Sequence, residues 1–277
     1  MNFDEALKLH DEDKLEGSFK IGNEDYHKAP GISSTFLSDI MEYSVGHAKA
    51  WKDKPMEPTK AMAFGSLIHL AILEPELLAQ KYHVVPSTDK RKKDVLLIYS
   101  KAELEGWTPI TQETMDKVLA IRSALLSSNT GKALFGEGIA EQAFFTRDPD
   151  TGLLIKCKAD FINTKHKILI DIKKTADGRL WNIKKSVQNY GYKLQASFYK
   201  DVINMTMGNN YIDSVVWVFI EEESPHGIRF VEVNKNDLQH GFDLYKEALT
   251  RLHNALQSGK FPLYEDKIVV IEDGQNE

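Results

Sequence analysis

The stretch that most constrains the fold runs from Leu153 to Lys174, LLIKCKADFINTKHKILIDIKK. Its first half alternates Ile155, Cys157, Ala159 and Phe161 with Lys156, Lys158 and Asp160. A period of two predicts a strand with one apolar and one charged face. After the polar turn NTKHK, Ile168, Ile170 and Ile172 make a second apolar set, and Asp171 and Lys173 point together to the other side. DPDTG, Asp148 to Gly152, is a turn by composition, preceded by a strand over about Ile139–Thr146.

The polar residues of this hairpin suggest chemistry. Neighbouring strands lie about 4.8 Å apart, so Asp160 and Asp171 can share one cation if they project to the same side. Carboxylate oxygens, with the Ile172 backbone carbonyl beside them, suit Mg²⁺ or Mn²⁺. Lys173 can orient a water, act as its base, or neutralise charge on a phosphoryl group. The bland alternative is a surface ion pair between Asp171 and a lysine. The strand setting and the second aspartate favour the site.

Charge distribution points the same way. The chain carries a net −6 with pI near 5.9, yet Arg147 to Lys200 holds twelve Lys/Arg against five Asp/Glu. An acidic body with one basic region fits an enzyme acting on a polyanion. The lone cysteine, Cys157, excludes an intramolecular disulfide, a cysteine-rich zinc site and a four-cysteine iron–sulfur cluster. The acidic, polar N-terminus is unlike a signal peptide, and no run approaches the length of a membrane span, so a cytoplasmic location is expected.

Residues 1–30 suggest a flexible arm or lid. Ser33 opens a helix running to Trp51, and Pro55 and Pro58 interrupt the pattern. A largely buried helix follows from Thr59, carrying His69 and ending at Glu74-Pro75. Residues 83–110 give little pattern beyond an exposed charged run, Asp89 to Asp94. Another helix covers 111–128, and one covers Ser186–Gly208 with Gln188, Tyr192, Gln195 and Tyr199 on one face, either a packing or a substrate face. A hairpin and an amphipathic helix complete residues 211–260. A single domain is expected, with its site motifs in 60–205.

Four motifs in order resemble the PD-(D/E)XK nuclease superfamily, and most of all its branch containing RecB nuclease domains and RecE-type recombination exonucleases. They are GSLIHLAILEP (Gly65 to Pro75), KCKAD ending at Asp160, IDIKKT (Ile170 to Thr175) and YKLQASFY (Tyr192 to Tyr199). The resemblance implies an α/β fold with a central mixed sheet flanked by helices, here with added N-terminal helices. It implies that His69 is a third metal ligand, although a lone histidine on an apolar helix is by itself a core residue. It implies that Gln195 and Tyr199 line the site and steady Lys173 or the DNA. Glu74 and Glu141 are accessory candidates, each with a plainer reading as an element-end charge. Lys156, Lys158, Lys174, Arg179 and Tyr192 are candidate DNA contacts. Ala159 replaces the family's proline, and Lys158 stands where relatives often have arginine.

The implied activity is magnesium-dependent degradation of the 5′ strand from duplex DNA ends, leaving 3′ overhangs for recombination. A homo-oligomer, a tetrameric ring, and a RecT-type single-strand annealing partner come with that resemblance, as does a bacterial or phage-infected cell. The alternatives are a structure-specific or restriction-type endonuclease on the same fold, and a non-catalytic DNA-binding protein.

Overall fold

In the computed structural model, which describes residues 15–52, 59–264 and 268, the chain opens with an edge strand, β1 (Gly17–Phe19), and a short helix, α1 (Asn23–Lys28). Leu15, Phe19, Ile21, Tyr26 and Ala29 pack on Ala143, Phe145 and Leu154 as a small separate core. The expected loose arm is therefore corrected over residues 15–30, whose apolar side chains dock on the sheet edge. Residues 1–14, and Pro55 and Pro58, lie outside the described residues.

The segment from Ser33 forms two helices, α2 (Ser34–Glu42) and α3 (Val45–Lys52), where one was expected. The break falls at Tyr43–Ser44, and Ser44 Oγ caps the second helix by accepting from the His47 N–H at 3.2 Å. α4 (Lys60–Leu73) begins at Thr59, whose side chain accepts from the Met62 N–H. It stops at Glu74, and Pro75 opens α5 (Pro75–Lys81). The weakly patterned region contains β2 (Tyr82–Val84), α6 (Lys93–Glu105) and β3 (Thr108–Ile110), with β2 and β3 paired in parallel. α7 (Gln112–Ser127) and α8 (Asn129–Leu134) follow.

The three expected strands are β4 (Gly138–Arg147), β5 (Leu154–Asn163) and β6 (Ile168–Thr175). Next come α9 (Leu180–Asn189), α10 (Tyr192–Met207), β7 (Ser214–Glu221), β8 (Ile228–Glu232) and α11 (Lys235–Ser258). The helix expected over Ser186–Gly208 divides at Gly191, whose φ of 63° is left-handed. Gln188 therefore leaves the stripe that Tyr192, Gln195 and Tyr199 share.

The main sheet has the order β1-β4-β5-β6-β7-β8 and is antiparallel except for the β6–β7 pair. Both faces are buried. Ile155, Cys157, Ala159, Leu169, Trp217 and Phe219 pack against Leu37, Phe198 and Leu249 of α2, α10 and α11. Ile170, Ile172, Val218 and Ile220 pack against Leu67, Ile68, Ile121 and Leu125 of α4 and α7. Each such side chain contributes about 1.5–3 kcal/mol by leaving water, so β5, β6 and β7 anchor both layers of helices to the frame. No described helix is long and apolar enough to cross a membrane.

The β5–β6 ladder is short, running only from Asn163–Ile168 to Phe161–Ile170. Beyond it β5 stays with β4, and β6 stays with β7 as far as Thr175–Glu221. The two strands therefore diverge and open a fork. On its far side the β4–β5 register passes from Ala140–Phe161 to Gln142–Ala159, which sets Glu141 across from Asp160.

Candidate active site

Alternate residues of a strand turn their backbone polar groups to alternate neighbours. Once β5 departs, the N–H and C=O of Ile172 need other partners. The N–H donates to Asp160 Oδ2 at 2.7 Å, and the carbonyl lies 3.2 Å from His69 Nε2. A carbonyl only accepts, so Nε2 carries a proton in this arrangement. His69 Nδ1 lies 3.5 Å from Asp160 Oδ1. Burial pushes the imidazole down, but Asp160, then Glu141 and Asp171, outweigh it and raise its pKa to about 9. The fork thus has a field that retains a cation. The same surroundings hold Asp160 below its ordinary pKa: burial raises it, and His69 and the Ile172 N–H reverse the sign.

Asp171 and Lys173 stand in register with Trp217 and Phe219, on the face that α10 covers. Lys173 Nζ lies 2.8 Å from Asp171 Oδ2 and donates to Asp171 Oδ1 at 3.1 Å and to Gln195 Oε1 at 2.7 Å. It also sits 4.5 Å from the centre of the Tyr192 ring. Burial opposes the ammonium, yet Asp171 and Asp160 hold its pKa above the ordinary lysine value. Tyr199 hydrogen-bonds Gln195, and burial keeps its phenol neutral by raising its pKa well above normal. Asp171 moves oppositely to Asp160, because burial and then its carboxylate neighbour outweigh Lys173.

These residues fit a divalent cation. His69, Glu141 and Asp160 each offer one ligand atom within 4.8 Å of the others. Asp171 is outside that group, but its buried Oδ2 receives no well-formed hydrogen bond despite the nearby ammonium. A buried oxygen without a donor, beside two further carboxylates and an imidazole, completes a donor set suited to a divalent cation. Glu141 thus joins the ligand candidates themselves, whereas its sequence position gave it only an accessory place. It holds a left-handed φ of 51°, unusual for a side chain of this size. The register across the Asp148–Gly152 turn was the available signal, since counting back from it puts Glu141 opposite Asp160. The Ile172 carbonyl faces the fork but is engaged by His69.

The other candidates lie outside this group. Glu74 pairs with Lys20 at 2.7 Å, and Lys20 also donates to the Ala140 carbonyl at 2.7 Å, bracing the strand next to Glu141. Lys158 is bound to Glu141 and Asn23. Lys156 is corrected as a DNA contact: it is 5% exposed, lies 4.7 Å from the Tyr26 ring centre, and donates to the Tyr26 and Ala29 carbonyls. The strand's charged face is covered there by α1. Lys174 points to the other side of the sheet and pairs with Glu222. Arg179 is exposed, gripped by Asp177 and set beside Trp181.

Residues 34–273 match the family model described as a PDDEXK-like domain of unknown function (DUF3799). No curated protein matches the sequence. Among solved structures, the fold is similar to that of a candidate exonuclease from Eubacterium rectale, with 14% identity, TM-score 0.57, and coverage of 85% of this chain and 87% of the other. A phage-related exonuclease from Haemophilus somnus 129PT aligns at 12% identity and TM-score 0.36, over 83% and 96% of the two chains.

Proposed function

The chain belongs to the PDDEXK-like domain family, and from that premise we propose that it is a divalent-metal-dependent nuclease that degrades duplex DNA from its ends. The observation that carries this reading is the fork itself. It draws His69 from one helical layer, Lys173 and Gln195 from the other side of the sheet, and Asp160 and Glu141 from the hairpin. His69, Glu141, Asp160 and Asp171 would hold the cation. When bound, it supplies charge neutralisation at the scissile phosphate and acidifies water.

The chain's own residues supply the rest. Lys173 remains an ammonium and presents its charge where a phosphoryl group gains negative charge. Gln195, held by Tyr199, fixes the direction of that ammonium. The Ile172 N–H aims the Asp160 carboxylate. In the finer reading the cation is Mg²⁺ or Mn²⁺ and the 5′ strand is digested, leaving 3′ overhangs. A ring-shaped homo-oligomer and a single-strand annealing partner complete that reading.

The test uses linear and closed-circular duplex DNA with Mg²⁺ and end label on one strand. Loss of the linear form alone, with release of the 5′ label first, is expected. Cutting of closed circles would instead support an endonuclease. No cleavage of either with any divalent metal would leave a DNA-binding protein.

A further inference from the structure

α9, packed on α10, exposes a face that takes no part in the fork. Trp181, Lys184, Lys185 and Gln188 follow at i, i+3, i+4 and i+7, opposite the buried Ile183 and Val187. Trp181 is 58% exposed and Tyr190, at the end of the helix, 68%. α9 contains no acidic residue. The Arg179 guanidinium lies 5.1 Å from the Trp181 ring centre but is paired with Asp177, so the free positive charge of this face comes from Lys184 and Lys185. Tyr190 touches Tyr192 with ring centres 5.8 Å apart, and Tyr192 is the ring beside Lys173 Nζ. At about 100° per residue Tyr190 falls half a turn away from Trp181, so the aromatic and charged side chains on the exposed outer face of α9 are Trp181, Lys184 and Lys185 alone.

Lysines alone would serve any polyanion. An indole left largely in water beside them suits a partner with flat apolar faces. Single-stranded DNA has both features, because every base offers a π-face and every linkage a negative charge. A duplex hides those faces except at its last pair. We infer that the exposed α9 face of Trp181, Lys184 and Lys185 holds single-stranded DNA, with bases stacked on Trp181 and phosphates against the two lysines. This rests on the reading of the chain as a DNA nuclease and adds a surface that receives the unpaired strand.

The experiment measures fluorescence anisotropy of a labelled oligothymidylate and of a blunt duplex of equal length, with the full chain in EDTA so that no cleavage intervenes. Trp181→Ala weakens oligothymidylate binding about tenfold, and Trp181→Phe, which keeps a stacking ring, stays within about twofold of wild type. Lys184→Glu combined with Lys185→Glu weakens binding and flattens its salt dependence. Unchanged binding by Trp181→Ala, an equal loss on the duplex, or no binding by the wild type overturns the inference. Melting temperatures check that these surface variants fold. Cleavage is scored separately with Mg²⁺. A chain that cuts DNA but ignores Trp181 loses only this inference, and one that binds through Trp181 but cuts nothing loses only the nuclease reading.

Discussion

Lys246→Met should destabilise the fold strongly at neutral pH and weakly in acid. Lys246, on α11, pairs with Asp148 and Asp150 in the β4–β5 turn, and the Asp148 side chain is only 1% exposed. Asp148 Oδ1 also accepts from the Thr151 N–H at 2.9 Å and Oγ1 at 2.8 Å. Burial alone would raise the Asp148 pKa, but Lys246 and Thr151 bring it below the ordinary value. Stranding one member of a buried pair costs about 3–5 kcal/mol. Lys246 is 22% exposed and the Thr151 donors remain, so about 2–3 kcal/mol is the better figure here. For a chain of this size that lowers the melting temperature by about 4–10 °C. A carboxyl with a depressed folded pKa stabilises above its unfolded value of about 3.9 and loses that contribution as pH falls through the folded value. In the variant burial acts unopposed by an ammonium, so Asp148 takes up its proton at higher pH. Urea unfolding at about pH 7.5 and about pH 4.5 should therefore show the deficit shrinking by half or more in acid. An equal deficit at both values, or none at the higher one, refutes the assignment of this pair.

Lys173→Ala should slow cleavage on the order of 10³-fold while duplex binding in EDTA persists; undiminished turnover would remove the lysine from the chemistry. Glu141→Gln keeps an acceptor for Lys158 but loses a charge at the cation site, so calorimetry with Mn²⁺ should show affinity reduced about tenfold or more. Equal affinity would confine Glu141 to a structural role. Lys156 has its pKa lowered to about 8, by burial and then by Lys52. Between about 8 and its unfolded value of about 10.4 the unfolded chain binds more protons, so wild-type stability gains from rising pH across that window. Lys156→Met should lack this gain, and parallel stability curves for the two proteins would count against a buried ammonium.

Much of the frame was legible because the periods in β5 and β6 are clean and β7 is apolar on both faces. Asp171 and Lys173 lie on one side of β6, as their spacing requires. Legibility failed where tertiary contacts override local pattern. Lys156 belongs by alternation to a solvated charged face, but residues 15–30 cover it, and their short mixed-charge sequence does not announce an edge strand. The helix division at Gly191 depends on one left-handed residue. The fork depends on where two strands cease to pair, a property of the twisted sheet that neither strand encodes alone. His69 could be placed only by resemblance, because its partner is a backbone carbonyl freed by that divergence.

The fork also explains how so many ionisable groups are tolerated in one place. Glu141, Asp160 and Asp171 are opposed by the ammonium groups of Lys158 and Lys173, and a protonated His69 completes the balance. The cluster is then neutral, which limits the cost of burying it without a cation. A divalent cation in place of the histidine proton would leave one net positive charge, the amount that a phosphodiester's single negative charge cancels. Alternate β6 residues sort the groups by task. Asp171 and Lys173 face α10, where Gln195 holds the ammonium, while the Ile172 backbone faces the gap and holds Asp160 and His69. A sheet that stayed paired past Phe161–Ile170 would satisfy Ile172 with β5 and leave neither Asp160 nor His69 an anchor. The early end of the β5–β6 ladder is therefore the structural feature on which this constellation depends.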